Sequence, residues 1–176
     1  VSASQIINVV DTIPPTMTTA PNDTTLTCLD QVPPPATLTV TDNCGTVPVV
    51  FTETVSDSIC ENTLTITRRW TAEDDCGNIL EETQVITVID TVAPVLSLYP
   101  TDTTVDCKDL VPAAPVITAF DECGDVPVVF TEIISDSTCV NLLVITRTWT
   151  AEDECGNSVS ASQIINVVDT IPPTMT

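Results

Sequence analysis

Residues 62–73 read NTLTITRRWTAE, and this stretch decides the fold class. Apolar and polar side chains alternate along it, which is the period of a β-strand because successive side chains of a strand point to opposite faces. Leu64, Ile66 and Trp70 therefore share one face. Arg68 has the same parity, so the alternation predicts a long strand that carries one cation on its apolar face.

The composition of the whole chain favours the same fold class. Val, Ile and Thr account for 71 of the 176 residues, whereas Gly accounts for 4. β-Branched side chains lose rotamer freedom in a helix and suit a pleated strand. With 43 % hydrophobic residues, the chain is also too apolar for a disordered acidic tail. We therefore predict an all-β fold.

The charge excludes several classes of partner. The chain carries 25 acidic and 4 basic residues, which gives a formal net charge of −21. Binding to nucleic acid or to an anionic membrane surface needs Lys and Arg, so we predict neither partner. No apolar run approaches the length of a membrane span, which predicts no membrane insertion. The absence of His removes the commonest metal ligand and the usual general base.

The chain contains an internal repeat of 79 residues. Two sets of four cysteines recur with that offset, and the interval within each set is 16 residues: Cys28, Cys44, Cys60 and Cys76, then Cys107, Cys123, Cys139 and Cys155. Flanking sequence follows the same offset. We therefore predict two copies of one domain, at residues 11–89 and 90–168.

A second, longer offset relates the two ends of the sequence. Residues 1–18, VSASQIINVVDTIPPTMT, recur without change as residues 159–176. We interpret residues 1–10 as the last strand of a preceding repeat and residues 169–176 as the first strand of a following one. The chain is then slightly more than one period of a longer array of alternating repeats.

Each copy is predicted to be a small β-sandwich. Alternating segments bounded by Pro, Gly, Asp and Asn predict six strands in the first copy, near residues 16–19, 24–28, 36–41, 47–55, 62–73 and 79–89. Short strands at this spacing are typical of immunoglobulin-like folds. The connectors contain Pro and almost no Gly, which predicts that tandem copies form an elongated, fairly stiff rod.

The cysteine spacing predicts how such a small core is cross-linked. Each interval holds one long strand and one turn, so successive cysteines are expected at opposite ends of the sandwich, too far apart for a disulfide bond. Alternate cysteines then pair, which gives two disulfides per repeat: Cys28–Cys60, Cys44–Cys76, Cys107–Cys139 and Cys123–Cys155. Four such bonds imply an oxidising, extracellular compartment.

Parity also predicts a charged pair inside each repeat. If the two long strands on either side of residue 58 pair antiparallel, Glu53 lies opposite Arg68 and Phe51 opposite Trp70. The second repeat carries the same ion pair as Glu132 and Arg147. A catalytic acid would need a second carboxylate or a His beside it, so we interpret both pairs as structural.

Three motifs together resemble a known family. They are DTIPP at residues 11–15, TDNCG at 41–45 and WTAEDDCGN at 70–78, with counterparts at 90–94, 120–124 and 149–157. The combination resembles HYR-like repeats with four cysteines, which occur in tandem in giant surface proteins of Bacteroidetes, including gliding-motility adhesins exported by type IX secretion. The second copy departs from the first at Ala93, which replaces Pro14. The resemblance implies an immunoglobulin-like fold, a cell-surface location and a role as stalk, adhesin or filament, and it supplies no catalytic residues.

Acidic side chains gather where the two repeats are expected to meet. Since Ca²⁺ takes six to eight oxygen ligands, they suggest a calcium site at the junction. The candidate ligands are Asp90, Asp121, Glu122, Asp153 and Glu154. The alternative is a solvated acidic surface that keeps secreted molecules apart. We expect no other cofactor.

The resemblance also implies O-glycosylation. Surface proteins of this kind carry glycans on a triplet of Asp, then Ser or Thr, then a small or aliphatic residue. The triplet recurs seven times here, with its hydroxyl groups on Thr12, Thr24, Ser58, Thr91, Thr103, Ser137 and Thr170.

Taken together, these features predict a non-enzyme. The chain has no nucleophile elbow and no phosphate-binding glycine run. We expect a structural repeat of a long extracellular adhesin or filament, whose partners are neighbouring repeats and, through other regions, surface glycans or a substratum. One alternative is a filament of separate subunits completed by exchange of strand 1–10. The other is a carbohydrate-binding accessory module, for which Tyr99 is the one aromatic side chain expected to be free.

Overall fold

The computed structural model describes residues 2–56, 58–135, 142–169 and 172. It divides between Ile89 and Asp90 into two units, here called unit 1 and unit 2. The regular structure consists of strands and two short 3₁₀ turns, which confirms the all-β prediction for the described residues. In that part of the chain no helix has the length and apolar character needed to cross a bilayer.

Unit 1 contains six strands in two sheets. They are β1 (Thr16–Met17), β2 (Thr24–Leu26), β3 (Val40–Thr41), β4 (Val49–Val55), β5 (Thr63–Glu73) and β6 (Ile79–Ile89). Strands β1 and β3 form a small antiparallel sheet, and the other four form a sheet in the order β2-β6-β5-β4. In this larger sheet β2 runs parallel to β6, whereas the other neighbours are antiparallel.

Unit 2 repeats this arrangement and adds one strand. Its strands are β7 (Val95–Leu96), β8 (Thr103–Val105), β9 (Ala119–Asp121), β10 (Gly124–Val126), β11 (Val128–Ile134), β12 (Leu142–Glu152) and β13 (Ser158–Val168). The larger sheet has the order β11-β12-β13-β8, and β8 is again the parallel strand. The added strand β10 forms a hairpin with β9, so the small sheet has three strands in the order β10-β9-β7.

The alternation seen in the sequence sets the inner face of the larger sheet. Along β5, the residues with less than a tenth of their surface exposed are Ile66, Arg68, Trp70 and Ala72. Met17 of β1 and Leu38 pack against Trp70, so the small sheet contributes to the same core. The Trp70 indole nitrogen donates to the carbonyl oxygen of Ala36 at 3.1 Å, which satisfies its polar group inside the core.

The strands of the small sheet are shorter than the sequence predicts. We expected strands at residues 16–19 and 36–41, but the ladder covers only Thr16–Met17 and Val40–Thr41. Its end lies at Thr18, whose hydroxyl oxygen accepts the amide hydrogen bond of Thr39 at 3.0 Å. Because a side chain takes the place of the carbonyl partner there, the regular ladder stops.

One sequence adopts two environments in this chain. Residues 2–10 lie outside any strand, and Ile7 and Val9 are 73 % and 91 % exposed. The identical residues of β13, Ile165 and Val167, are 0 % exposed and form part of the core of unit 2. The alternation of apolar residues in this segment therefore matches that of a strand in the larger sheet.

Candidate functional site

The Arg68 side chain lies in the interior of unit 1 and is 4 % exposed. Its Nε donates to Oε2 of Glu53 on β4 at 2.8 Å, and its Nη2 donates to the carbonyl oxygen of Pro33 at 2.7 Å. Its Nη1 lies 3.5 Å from Oε1 of Gln84 on β6. One guanidinium group therefore connects both neighbours of β5 to the loop that precedes β3.

Unit 2 contains the same network. Arg147 donates to Glu132 at 2.8 Å, to the carbonyl oxygen of Pro112 at 2.8 Å and to Gln163 at 3.4 Å. The two ion pairs are those expected from the alternation of the sequence, and the register places Glu53 opposite Arg68 and Glu132 opposite Arg147. Since Arg stays protonated at all ordinary pH values, the arrangement holds a fixed charge pair and does not transfer protons.

The two glutamines of these networks are not among the predicted site residues. Gln84 is 3 % exposed and Gln163 is 2 % exposed. Their amide nitrogens donate to the carbonyl oxygens of Asn22 at 3.1 Å and of Thr101 at 2.8 Å. The alternation of the strand could have identified them, because Gln84 is two residues before the buried Ile86 and so lies on the same inner face.

A cleft of unit 1 is lined by aspartates that organise turns. Each aspartate accepts a hydrogen bond from the amide two residues later: Asp11 from Ile13 at 3.0 Å, Asp42 from Cys44 at 2.7 Å and Asp74 from Cys76 at 2.9 Å. Aspartate favours such turns because its short side chain reaches its own downstream backbone. The cleft is thus acidic for a local structural reason.

Of these three aspartates, Asp74 accepts the most hydrogen bonds within its own turn. The Asn78 side chain donates to its Oδ2 at 2.7 Å, and the Asn78 amide donates to its Oδ1 at 2.8 Å. The side-chain bond from Asn78, followed by the amides of Asn78 and Cys76, lowers the pKa of Asp74 below its ordinary value of 3.8. Gly77, with φ +85°, closes this turn in a conformation that L side chains rarely adopt.

The cysteines correct one part of the disulfide prediction. Cys28 and Cys60 are bonded in unit 1, and Cys123 and Cys155 are bonded in unit 2. The predicted Cys44–Cys76 bond is not formed, since both are free thiols. Cys107 is likewise a free thiol, so the predicted Cys107–Cys139 bond is also not formed, and Cys139 lies outside the described residues. Among the described residues, each unit therefore has one disulfide where two were predicted.

The local contacts of Cys44 make its thiol a weaker acid than an ordinary cysteine. Asp11 accepts a hydrogen bond from the Cys44 thiol, and this bond is the largest cause that raises the thiol pKa to about 11. The same contact lowers the pKa of Asp11. The Asn43 amide nitrogen also lies 3.0 Å from the Cys44 sulfur. The thiol is held by Asp11 and Asn43, although Cys76 lines the same cleft.

The structure brings together two of the five predicted calcium ligands. Oxygen atoms of Asp90 and Asp121 lie within 4.8 Å of each other and of the Cys123 sulfur. Asp153 instead accepts hydrogen bonds from the amides of Cys155 and Asn157 and from the Asn157 side chain, at 2.8, 2.9 and 2.9 Å. It is the turn-holding residue of unit 2, equivalent to Asp74.

The other two predicted calcium ligands, Glu122 and Glu154, have exposed side chains. Glu122 stands directly after Asp121, whereas Glu154 lies in the turn that Asp153 holds. The Asn157 side chain of that turn also lies 3.4 Å from the carbonyl oxygen of Asp90. All these residues belong to unit 2.

The predicted glycosylation sites fall into three groups. Thr12, Ser58 and Thr91 are exposed and lie outside strands. Thr24 and Thr103 are half-buried within β2 and β8, where they face neighbouring strands in a parallel ladder. Each stands opposite a buried residue of the neighbouring strand, Ile86 or Ile165. Ser137 and Thr170 lie outside the described residues.

The prediction that Tyr99 is the one free aromatic side chain is wrong. Tyr99 is 50 % exposed, but Phe120 on β9 is 61 % exposed. Phe51 and Phe130 are 40 % and 43 % exposed, even though each packs against a Trp with ring centroids 5.3 Å apart. The small sheet is narrow, and Phe120 points away from the core because its neighbours Ala119 and Asp121 point into it.

Comparison with known proteins gives one family match. No curated protein matches the chain. The matched segment contains all four cysteines of unit 1 together with β1 to β5 and nearly all of β6. Residues 16–88 match the family described as HYR-like domain with 4 cysteines, a match that favours an extracellular repeat module for unit 1.

Proposed function

We propose that this chain is a non-catalytic structural segment of a long extracellular adhesin or filament, built from alternating units of the two kinds seen here. The observation that carries the proposal is the identity of residues 2–10 with residues 160–168. In β13 this sequence pairs with β12 along its whole length and buries Ile165 and Val167. Its exposed copy has the same spacing of apolar residues but pairs with no strand among the described residues, whereas β13 lies between β12 and β8.

The conserved architecture of the two units supports the same proposal. Both units place a parallel strand at one edge of the larger sheet, a seven-residue strand at the other edge, and an arginine network between them. Nothing in this network depends on a ligand. Each unit can therefore serve as a passive, self-contained element of a longer series, which is what a stalk or filament requires.

The surface context is part of the proposal. Disulfide bonds and the family match to unit 1 favour an extracellular location. The resemblance in sequence extends this to the surface of a bacterium that exports giant adhesins by type IX secretion, with gliding or attachment as the process served. Exposed Thr12, Ser58 and Thr91 are the sites where we expect glycans.

The experiment that tests the proposal is a size measurement on native material. An antibody raised against the 18.7 kDa chain is used to probe reduced, fully denatured cells and culture medium after gel electrophoresis. A band far above that mass, removed by protease treatment of intact cells, is expected for a tandem array on the surface. A band near that mass would contradict the covalent array and favour separate subunits joined by exchange of strand 1–10.

A further inference from the structure

A buried pair of carboxylates in unit 2 has no ion-pair partner among the described residues. Asp90 is 6 % exposed and Asp121 is 4 % exposed, and oxygen atoms of the two lie within 4.8 Å of each other. The three ion pairs found among the described residues join Arg68, Arg69 and Arg147 to glutamates. None of them neutralises either aspartate. Two like charges in a poorly solvated place repel each other strongly.

One oxygen atom of this pair is left without a partner. Asp121 Oδ1 accepts the amide hydrogen bond of Cys123 at 2.9 Å, but Oδ2 is buried and accepts no hydrogen bond from the described residues. Asp90 uses its Oδ1 to accept the amide of Val92 at 3.0 Å. Buried carboxylate oxygens are almost always satisfied, so an orphaned one is a place where a water molecule or an ion can bind.

The same arrangement of carboxylates occurs at the equivalent positions of unit 1. Asp11 and Asp42 stand 79 residues before Asp90 and Asp121, and their oxygens are grouped in the same way. Asp42 Oδ1 is again buried and accepts no hydrogen bond from the described residues. In unit 1, however, the Asn43 side chain approaches both Asp11 oxygens at 3.5 Å and supplies weak donors.

Unit 2 replaces that donor with an acid. The residue equivalent to Asn43 is Glu122, so the amide that approaches Asp11 in unit 1 is absent beside Asp90, and a third carboxylate stands next to Asp121. An exchange of this kind removes a hydrogen-bond donor and adds a potential cation ligand. It makes unit 2 the more strongly cation-attracting of the two.

We propose that unit 2 binds one Ca²⁺ ion between Asp90 and Asp121, with Glu122 beside it. The donor set is oxygen only, because the Cys123 sulfur is in a disulfide bond and is not a thiolate. A hard cation suits such donors, and Ca–O distances of roughly 2.3–2.6 Å allow one ion to touch two oxygens that are up to about 5 Å apart. Mg²⁺ sheds its water reluctantly, which disfavours it at buried carboxylates.

The ion would join two segments that the strand ladder connects only briefly. Asp90 lies at the start of unit 2, before β7, and Asp121 is the last residue of β9. β7 and β9 share just two residue pairs. Calcium would therefore stabilise the small sheet of unit 2 at its weakest connection.

Calcium titration of the metal-free 176-residue chain tests this inference. Isothermal calorimetry at constant ionic strength is expected to show a Ca²⁺ site with a Kd on the order of 10⁻⁴–10⁻³ M, the range of extracellular modules. Mg²⁺ is expected to bind at least about tenfold more weakly. In Asp121→Asn the number of bound Ca²⁺ ions should fall by one, while Asn retains an oxygen to accept the Cys123 amide.

Two further variants keep the test decisive. Asp106→Asn removes the same charge from an exposed position in unit 2 and should bind Ca²⁺ as the parent does. Glu122→Asn installs the unit 1 residue and should weaken binding even if Asp121→Asn does not fold. The proposal is overturned if Asp121→Asn and Glu122→Asn both bind Ca²⁺ like the parent, or if Mg²⁺ and Ca²⁺ bind equally, because both results describe a diffuse acidic surface.

Discussion

The Nε atom of Arg68 lies 2.8 Å from Oε2 of Glu53, and the two side chains differ sharply in exposure, at 4 % and 36 %. The cation is therefore the buried partner and the anion reaches solvent. Loss of the anion would leave a buried charge with only carbonyl and amide partners, whereas loss of the cation would leave a carboxylate that water can still reach. The repeated pair, Arg147 and Glu132, has the same asymmetry at 5 % and 34 %.

Replacement of the buried arginine should destabilise unit 1. Arg68→Met keeps the apolar volume but leaves Glu53, Gln84 and the Pro33 carbonyl oxygen without their donor. Because Gln84 is buried while Glu53 stays open to water, the loss of these donors should lower the free energy of unfolding by about 1–3 kcal/mol. Urea denaturation followed by fluorescence of Trp70, in a chain that carries Trp149→Phe, measures the change in unit 1.

The neighbouring residue provides a matched control. Arg69 has the same charge and lies one position along β5, but its side chain is 54 % exposed and pairs with Glu81 at the surface. Arg69→Met should change the free energy of unfolding by less than about 1 kcal/mol. Equal effects of the two substitutions would refute the structural role of the buried network.

Alternation along the chain was enough to predict the long strands and their register. Glu53 faces Arg68, and Phe51 faces Trp70, because both strands alternate in phase from the turn between them. The partners from distant segments were not predictable in this way. The Pro33 carbonyl oxygen and the Asn22 carbonyl oxygen come from irregular loops, whose positions depend on tertiary packing and leave no periodic signal.

The disulfide prediction was wrong for Cys44 and Cys76 for a related reason. The spacing of the cysteines correctly selects Cys28 with Cys60 and Cys123 with Cys155, since spacing determines which ends of the sheet they reach. It carries no information about the hydrogen bond between Asp11 and Cys44, which involves a residue far from both cysteines in sequence. That contact raises the pKa of the Cys44 thiol and so disfavours the reactive thiolate.

Mild oxidation should join Cys44 to Cys76. The two thiols line the same cleft, and the equivalent residues of unit 2, Cys123 and Cys155, are already bonded. Peptide mapping by mass spectrometry without reduction is expected to recover a Cys44–Cys76 cross-link, and the Tm of unit 1 should rise. The Cys76→Ser variant should show no such rise. A cross-link of Cys44 to any other cysteine would contradict the prediction.

Removal of the Asp11 charge should make Cys44 more reactive. Asp11 raises the pKa of this thiol from 9.0 to about 11 by accepting its hydrogen bond and by charge repulsion of the thiolate. In Asp11→Asn the pH midpoint of Cys44 alkylation should fall toward 9.0, measured by iodoacetamide labelling and mass spectrometry in a Cys76→Ser background. Asp30→Asn, an exposed change in the same unit, should leave the midpoint where it is.

The Asp74 turn should resist mild acid. Because the pKa of folded Asp74 is below 3.8, its contribution to stability is fully present above that pH and is lost as the pH falls through the lower, folded value. NMR titration of the carboxyl carbon should therefore give a midpoint below 3.8. Asn78→Ala removes the largest cause and should raise the midpoint, whereas Asn157→Ala, the same change in unit 2, should not. A midpoint at or above the ordinary value would show that these hydrogen bonds do not form.

The repeated strand sequence allows the same substitution to be tested in two environments. Ile165 is 0 % exposed in β13, so Ile165→Ala should lower the free energy of unfolding of unit 2 by about 2–4 kcal/mol. Ile7 occupies the identical position of residues 2–10 and is 73 % exposed. Ile7→Ala should change stability by less than about 0.5 kcal/mol in this chain.

A longer chain then separates a tandem array from a chance repetition. Placing residues 90–158 directly before Val1 recreates the full sequence of unit 2 through residue 10, because residues 1–10 are identical to residues 159–168. In that chain Ile7→Ala should become as destabilising as Ile165→Ala, since both isoleucines would lie in the core of a complete unit. If Ile7→Ala stayed neutral there, residues 1–10 would not be the last strand of a preceding repeat, and the array would lose its main support.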